Sequence, residues 1–465
     1  MPWQTHQPKF NTESLMTLFQ SQQSTKRDAN HVQPDSNAVL DQETVNALTA
    51  AALANQFPQM RELLKQKQAK FGAGPQYSYW AGVLAAREGR FDDALALLED
   101  AANRAPRIPA PRYELGNVLC ALNRPSDAAL AFESAILLNK SFVAAWLNLG
   151  KVRLSLGEIT RAEHALTTAM SLDQGRVEIW LALAKLHEQA KFPDRAIALL
   201  QEMRRRFGAD PARDAQLLHV LILAGKQHQT VELLEQMLAA QPYDPIAQYL
   251  LAVNSGKASL RADNAYITAL FDNYAPQYNL HMQLTRYQAH KLIAHALQAQ
   301  IPAPASVLDL GCGTGLVAQE LAAYTLTGVD LSGAMLSQAR GYAALHNEEI
   351  GAFLTTSADS RYDAVVLAET LVHFGPLLET FKQIARVLSK NGVLCLNVET
   401  DPSLKLSQFV LNPTGRFEHS AAYLRHCCQQ AGFEVLTLQP IESRLEADKP
   451  VPGLLLLARK ASPAS

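Results

Sequence analysis

The chain has 465 residues, 42 Lys and Arg against 44 Asp and Glu, a formal net charge of −2, and is 48% hydrophobic and 18% charged. That length exceeds one ordinary core, so at least two domains are expected, and the composition excludes disordered and fibrous classes. The even charge balance leaves no electrostatic footprint for nucleic acid.

Five cysteines, Cys120, Cys312, Cys395, Cys427 and Cys428, show no metal-ligand spacing, and two are adjacent, which is a poor geometry for a bridge. A reducing compartment is the simpler reading, and no metal is expected. No apolar run reaches spanning length and the first residues lack the basic-then-apolar order of a leader, so a cytoplasmic location without membrane attachment is expected.

Residues 1–40 are rich in Gln, Asn, Ser and Thr and read as a flexible tail, with at most a short helix around Leu15 to Phe19. A repeat follows. Gly89-Arg-Phe-Asp-Asp-Ala94 aligns with Asn123 to Ala128, Gly157 to Ala162 and Lys191 to Ala196, each block 34 residues after the last. Gly82, Gly116, Gly150 and Ala184 recur at one small position, Ala101, Ala135, Ala169 and Met203 at another, and Trp146 and Trp180 at a large one. This register resembles tetratricopeptide repeats, with units starting near 75, 109, 143, 177 and 211, a degenerate unit near 41 and a capping helix over 244–253. An all-α solenoid over 41–254 is therefore expected. The resemblance implies a concave groove that binds a protein partner or peptide and carries no chemistry of its own. Arg204-Arg-Arg206 reads as a solvated helix end.

Residues 255–263 are polar and read as a linker, with a second domain over 264–461. Ala265 to His281 is rich in aromatic residues, and an amphipathic helix is expected to run on to about Leu297. Then comes Val307-Leu-Asp-Leu-Gly-Cys-Gly-Thr-Gly315, an apolar strand opening into alternating glycines, with an apolar helical pattern resuming at Leu316. A helix N-terminus behind a glycine loop favours an anionic or polar ligand. The Gly-x-Gly-x-Gly spacing departs from the dinucleotide fingerprint Gly-x-Gly-x-x-Gly. A second strand, Leu326 to Asp330, ends in an acid nineteen residues after Gly311.

These two motifs resemble those of class I S-adenosylmethionine-dependent methyltransferases. The resemblance implies an α/β Rossmann-like domain with a seven-stranded sheet. It places Asp309 near the amino group of the methionine part of S-adenosylmethionine and Asp330 on the ribose, where one carboxylate accepts from both hydroxyls, with Gly311, Gly313, Gly315 and Leu331 as further cofactor-binding residues. Glu349 and Ile350 fall where the family sets an acid and an apolar residue beside the adenine, with Glu348 as the substitute acid. The segment before the first strand is closest to that of bacterial methyltransferases carrying tetratricopeptide repeats in the same chain, and offers Tyr274, Tyr278 and His281 as pocket contacts.

Tyr362 to Leu367 reads as a buried central strand whose exit carries Glu369 and His373. Glu369 is placed beside the methyl donor. His373 is a candidate general base, with Tyr278 and His281 the other candidate catalytic groups. Helices are expected over 333–344 and 381–388 and strands over 393–398, 433–438 and 452–458. Gly415-Arg-Phe-Glu-His-Ser420 resembles a run in the repeat-bearing family; Arg416 and His419 are candidates for substrate binding and Ser420 for a helix cap. No Asn-Pro-Pro-Tyr run follows the fourth strand, which argues against methylation of nucleic-acid amines. The acceptor stays open between a small molecule, a carrier-bound acyl group and a protein side chain. So does the alternative that the repeats act as a scaffold and the cofactor fold as a regulatory module.

Overall fold

The structure is a computed structural model that describes residues 40–71, 74–401, 409–446 and 449–461. The predicted tail, with its short helix near Leu15, lies outside the described residues apart from Leu40. The chain divides into two compact units, one ending at Ala209 and one running from Asp210.

In the first unit helices come in pairs: Gln42–Leu53 with Phe57–Phe71, Pro75–Arg87 with Phe91–Arg104, Pro109–Ala121 with Pro125–Leu138, Val143–Ser155 with Ile159–Leu172, and Val177–Gln189 with Pro193–Phe207. The 34-residue period is written into the backbone. Asn55, Gly89, Asn123, Gly157 and Lys191 each take positive φ at the turn inside a pair. Glycine and asparagine tolerate that conformation, and Lys191 is the exception. Trp146 and Trp180 each donate the indole N–H to the carbonyl six residues upstream, Lys140 and Gln174.

The small positions are where the two helices of a pair touch. A Cβ on Gly116 would stand 2.6 Å from the Phe132 ring, and one on Gly150 would stand 2.5 Å from Leu166. Gly116→Ala sets two effects against each other. Helix propensity favours Ala by about 1 kcal/mol, whereas overpacking costs about 1–3 kcal/mol. Phe132 is fully buried and has nowhere to swing, so the clash wins. Chemical denaturation of the full chain is expected to show a net loss of about 1–2 kcal/mol.

In the second unit two more helices, Pro211–Leu223 and Gln227–Ala240, repeat the pairing, with Gly225 at positive φ in their turn. A lone helix, Pro245–Asn254, follows. Its Tyr249 stacks on Tyr266 at 4.1 Å between centroids and donates to the Gly415 carbonyl.

Among the described residues the sheet has nine strands: β1 Ser306–Leu310, β2 Thr325–Asp330, β3 Ala344–Asn347, β4 Tyr362–Leu367, β5 Leu388–Glu399, β6 Phe409–Leu411, β7 Phe417–His419, β8 Phe433–Glu446 and β9 Lys449–Lys460. Seven of them form the continuous order β3-β2-β1-β4-β5-β9-β8, parallel from β3 to β5, with β9 antiparallel to β5 and to β8. The expected count of seven is thus exceeded by a short hairpin, β6 and β7, which meets the C-terminal end of β5 at Glu399.

Strand periodicity sorts side chains to two cores. Leu308, Val365, Leu367, Leu454 and Leu456 face the helices Ile350–Thr356, Leu378–Val387 and Ala421–Gln430. Val307, Ala364, Val366, Leu455 and Leu457 face the helices Ala289–Gln298 and Leu316–Glu320.

The helix expected over 333–344 stops at Gln338, and Ala344–Asn347 is instead the edge strand β3. Four residues with one face exposed give too weak an alternation to be read from the sequence. The last two strands are longer than expected and form one extended hairpin ladder.

Candidate functional site

The strand β1 delivers Asp309, fully buried, into the mouth of the glycine loop. The loop turns because Gly311 and Gly315 take φ of +77° and +88°. At Gly311 a side chain is excluded outright, since a Cβ would lie 2.4 Å from Thr370 Oγ1. At Gly313 it would meet nothing within 4 Å, so here the loop faces open space. The N–H groups of Gly311 and Cys312 both donate to the Val329 carbonyl of β2, holding the loop against that strand.

Two acids frame the opening. Asp309 Oδ2 accepts from the Tyr342 hydroxyl at 2.7 Å, while its Oδ1 is buried and has no hydrogen-bond partner. Burial raises this carboxyl to about 7, helped by the charge of Asp330 and opposed by Tyr342. Asp330 ends β2, accepting from Gly313 N at 2.9 Å and Ser332 N at 2.8 Å. Burial raises its pKa as well, against those two backbone bonds. A carboxylate has lone pairs beyond the two used here. An unsatisfied buried oxygen beside open loop space fits a ligand with a cationic or N–H donor at one end and hydroxyls further on.

The segment from Asn264 to Leu284 is tied at three points, once to the glycine loop and twice to the stretch that follows β2. Asp272 accepts from Ser332 Oγ at 2.5 Å, the Ala275 carbonyl from Gln338 at 2.8 Å, and Asn279 Oδ1 from Thr314 Oγ1 at 2.6 Å. Its aromatic rings interlock: Tyr274 meets Tyr278 at 5.2 Å and His281 at 5.5 Å, both edge to face. Burial pushes the Tyr278 hydroxyl above its ordinary range, with the charges of Glu369 and Asp330 adding to it. Burial lowers His281, which is half-buried.

Beyond β3, Glu349 caps the helix Ile350–Thr356, accepting from Gly351 N and Ala352 N at 2.8 Å each, and pairs with Arg261. Burial opposes the ionised form of Glu349, but the caps and Arg261 together hold its pKa low. Ile350 turns into the core, and Leu331 packs against Tyr249, Ala262, Tyr266 and Ile267.

At the exit of β4 the chain makes an unusual turn. Glu369 has φ of +56°, a left-handed conformation that a side chain disfavours. Asn397 of β5 holds it from both sides, accepting from Glu369 N and donating to Oε1. Glu369 Oε2 accepts from Arg416 at 3.1 Å and Arg444 at 2.6 Å. Both arginines also donate to Glu399. Burial opposes ionisation of Glu399, but the two guanidinium groups hold it down at about 2.

His373 is buried, and neither ring nitrogen has a partner. Its ring meets Phe271 at 5.6 Å and Tyr266 at 6.4 Å. Burial, with the Arg416 charge, drives its pKa to about 3, so it is neutral at ordinary pH and a weak proton acceptor. His419 places Nε2 3.1 Å from the Gly375 carbonyl, and burial lowers it to about 4. Ser420 caps the helix Ala421–Gln430 through Tyr423 N.

The structure thus gathers Asp309, the three glycines, Asp330, Tyr278 and Glu369 at the C-terminal edge of the parallel strands, where open α/β sheets bind ligands. It sends Ile350 into the core. Sequence reasoning passed over Glu399, Asn397, Arg444, Asp272 and Tyr342. Arg444 lies 75 residues from Glu369 in the chain, and no local pattern signals such a pair.

Comparison with known proteins agrees with this architecture. Residues 278–438 match the family model described as a methyltransferase domain. Residues 113–175 and 153–218 match two tetratricopeptide repeat models. The chain carries a methyltransferase domain behind tetratricopeptide repeats. This domain has the class I fold of S-adenosylmethionine-dependent methyltransferases.

Methyltransferase-like protein 27 of Homo sapiens is 32% identical over 142 residues, 29% of this chain and 58% of that protein. Malonyl-[acyl-carrier protein] O-methyltransferase of Pseudescherichia vulneris is 31% identical over 141 residues, 30% of this chain and 55% of that protein. The ubiquinone biosynthesis O-methyltransferase of Rickettsia akari is 29% identical over 97 residues, 20% of this chain and 39% of that protein. The chain spans about half the length of the curated relatives it matches. Among solved structures, the 1,6-didemethyltoxoflavin-N1-methyltransferase of Burkholderia thailandensis, bound to 1,6-didemethyltoxoflavin and S-adenosylhomocysteine, is 21% identical with a TM-score of 0.36, covering 44% of this chain and 93% of that one. No helix among the described residues is long and apolar enough to cross a membrane.

Proposed function

We propose that the domain over 264–461 transfers a methyl group from S-adenosylmethionine to an acceptor, and that the repeats over 41–254 bring a protein partner or substrate to it. The observation that carries the reading is the unpartnered Oδ1 of Asp309, fully buried beside the open face of the glycine loop. The ammonium of the methionine end supplies the missing donor. Asp330 takes the ribose hydroxyls. Glu349, already shared between a helix cap and Arg261, has lone pairs left for the adenine amine. Leu331 and Glu369 border the same cleft.

When bound, S-adenosylmethionine supplies a methyl group already activated as a sulfonium. The protein's work is then to align the acceptor in line with that carbon and to exclude water. An acceptor that carries a proton would have to give it up on methylation, and a side chain of this domain would take it. The covering segment, pinned through Asp272, Ala275 and Asn279, excludes the water. Half-buried His281 is a better proton acceptor than His373, whose pKa is about 3. The O-methyltransferase names of two relatives support oxygen as the accepting atom.

Titration calorimetry with S-adenosylmethionine and S-adenosylhomocysteine tests the cofactor half, and heat from neither sinks it. A tritium-methyl transfer assay on lysate, split into protein and small-molecule fractions, then names the acceptor class. A pH dependence is also expected. The folded carboxyl of Asp309 titrates at about 7, above its unfolded value, so below pH 7 it must lose a proton to meet a cation. Affinity for S-adenosylmethionine is expected to rise with pH up to about 7 and then level, with up to one proton released per molecule bound. Calorimetry in buffers of different ionisation enthalpy measures that release, and Asp309→Asn is expected to abolish it.

A further inference from the structure

The acceptor side of the cleft has a composition that constrains what enters it. Its walls are aromatic: Tyr274, Tyr278 and Tyr287 lie together with the ring of His281. Tyr287 is 7% exposed. The hydroxyls of Tyr274, Tyr278 and Tyr287 make no hydrogen bond to any described residue. The charge of Arg444 reaches all three, and that of Glu369 reaches Tyr278 and Tyr287. The backbone joins the two: Gln288 N donates to the Ser443 carbonyl at 2.9 Å and Leu445 N to the Thr285 carbonyl at 2.7 Å, so the segment carrying Tyr287 runs beside Arg444 of the cluster. Hydroxyls in this position can donate to or accept from the polar groups of a ligand.

The cluster leaves no positive charge to spare. Arg416 bridges Glu369 and Glu399, while Arg444 bridges those two and Glu446. Three carboxylates face two guanidinium groups. The side chains of Glu399 and Arg444 are only 7% and 11% exposed. An incoming carboxylate would have to expel one of these glutamates or stand as a fourth negative group where solvent screens little.

We propose that this chamber takes a planar ring-bearing acceptor that is uncharged where it meets the arginine–glutamate cluster, and rejects acceptors presenting a free carboxylate there. Tyrosine faces and edges pack well against a flat ring, and their hydroxyls meet its polar substituents. The inference rests on the methyl-transfer reading and adds the acceptor's chemical class to it.

The test uses a matched pair, 4-hydroxybenzamide and 4-hydroxybenzoate, which differ in one charge. Each is titrated into the full-length protein saturated with S-adenosylhomocysteine. The amide is expected to bind at least about tenfold more tightly than the acid. Glu399→Gln leaves two carboxylates against two guanidinium groups. It is expected to raise affinity for the acid by about tenfold while moving the amide by less than about threefold. Retained binding of S-adenosylhomocysteine certifies the fold of the variant, and the wild-type comparison is decisive by itself. Equal or tighter binding of the acid by the wild type overturns the inference, as does failure of both ring probes to bind. Failure of S-adenosylhomocysteine to bind the wild type would instead overturn the methyl-transfer reading, and this inference with it.

Discussion

Asp330→Ala is expected to lower affinity for S-adenosylmethionine by at least about 100-fold, with the chain still folded. Hydrogen bonds to a charged group are worth about 1.5–3 kcal/mol each, and losing two from the ribose gives about 3 kcal/mol or more. The same carboxylate also organises the loop, since it accepts from Gly313 N and Ser332 N. Stability is affected less. Burial raises the pKa of Asp330, so its ionised form is a cost to the fold, and removing it offsets the two orphaned N–H groups. Asp330→Asn keeps an acceptor but loses the charge, and an intermediate loss of about tenfold is expected. Calorimetry gives the affinities and thermal unfolding gives the stability. Unchanged affinity in Asp330→Ala would refute the ribose assignment.

The largest loss of stability is expected at Glu399. It is 5% exposed and accepts from both Arg416 and Arg444. Glu399→Ala leaves the cluster charge-balanced but strips three hydrogen bonds from two buried guanidinium groups, at a cost of about 3–5 kcal/mol. In a unit of this size Glu399→Ala should lower Tm by roughly 10 °C. The double variant Glu399→Leu with Arg444→Met leaves Glu369 facing Arg416, so it should recover part of that loss. A thermal-unfolding double-mutant cycle reads the coupling. Additive behaviour would show that the four groups do not act as a cluster.

The pH dependence has a definite sign. The two arginines hold Glu399 at about 2, below its unfolded value. Its contribution is present above the ordinary Glu range and is lost as pH falls towards 2.

Two kinds of signal made much of the architecture legible. The repeats announced themselves because each helix pair must solve the same packing problem, so a small residue recurs where Gly116 meets Phe132 and Gly150 meets Leu166. The cofactor side was legible because the glycine loop, Asp309 and Asp330 lie within 22 residues, and backbone geometry dictates the spacing. The acceptor side was not. Its parts come from the exit of β4, the end of β5, the turn before β7 and the end of β8, and only the sheet brings them together. His373 illustrates the limit. Its place after β4 suggested a base, but burial, with the Arg416 charge, lowers its pKa, and neither its ring neighbours Phe271 and Tyr266 nor Arg416 are visible from residue 373 alone. β3 was missed for a different reason, since an edge strand of four residues carries little periodicity.

The left-handed turn at Glu369 has a genetic consequence. Its backbone strain is of the order of 1–2 kcal/mol, and the bonds to Asn397, Arg416 and Arg444 are what stabilise a side chain there. Loss of any one of those partners therefore weakens the case for a side chain at 369 as well as removing a contact. Positions 369, 397, 416 and 444 should behave as one epistatic block, in which a harmful change at one site alters the effect of the next. A selection for thermal resistance alone would be drawn towards glycine at 369 once the block had been breached, and would move away from the chemistry as it did so.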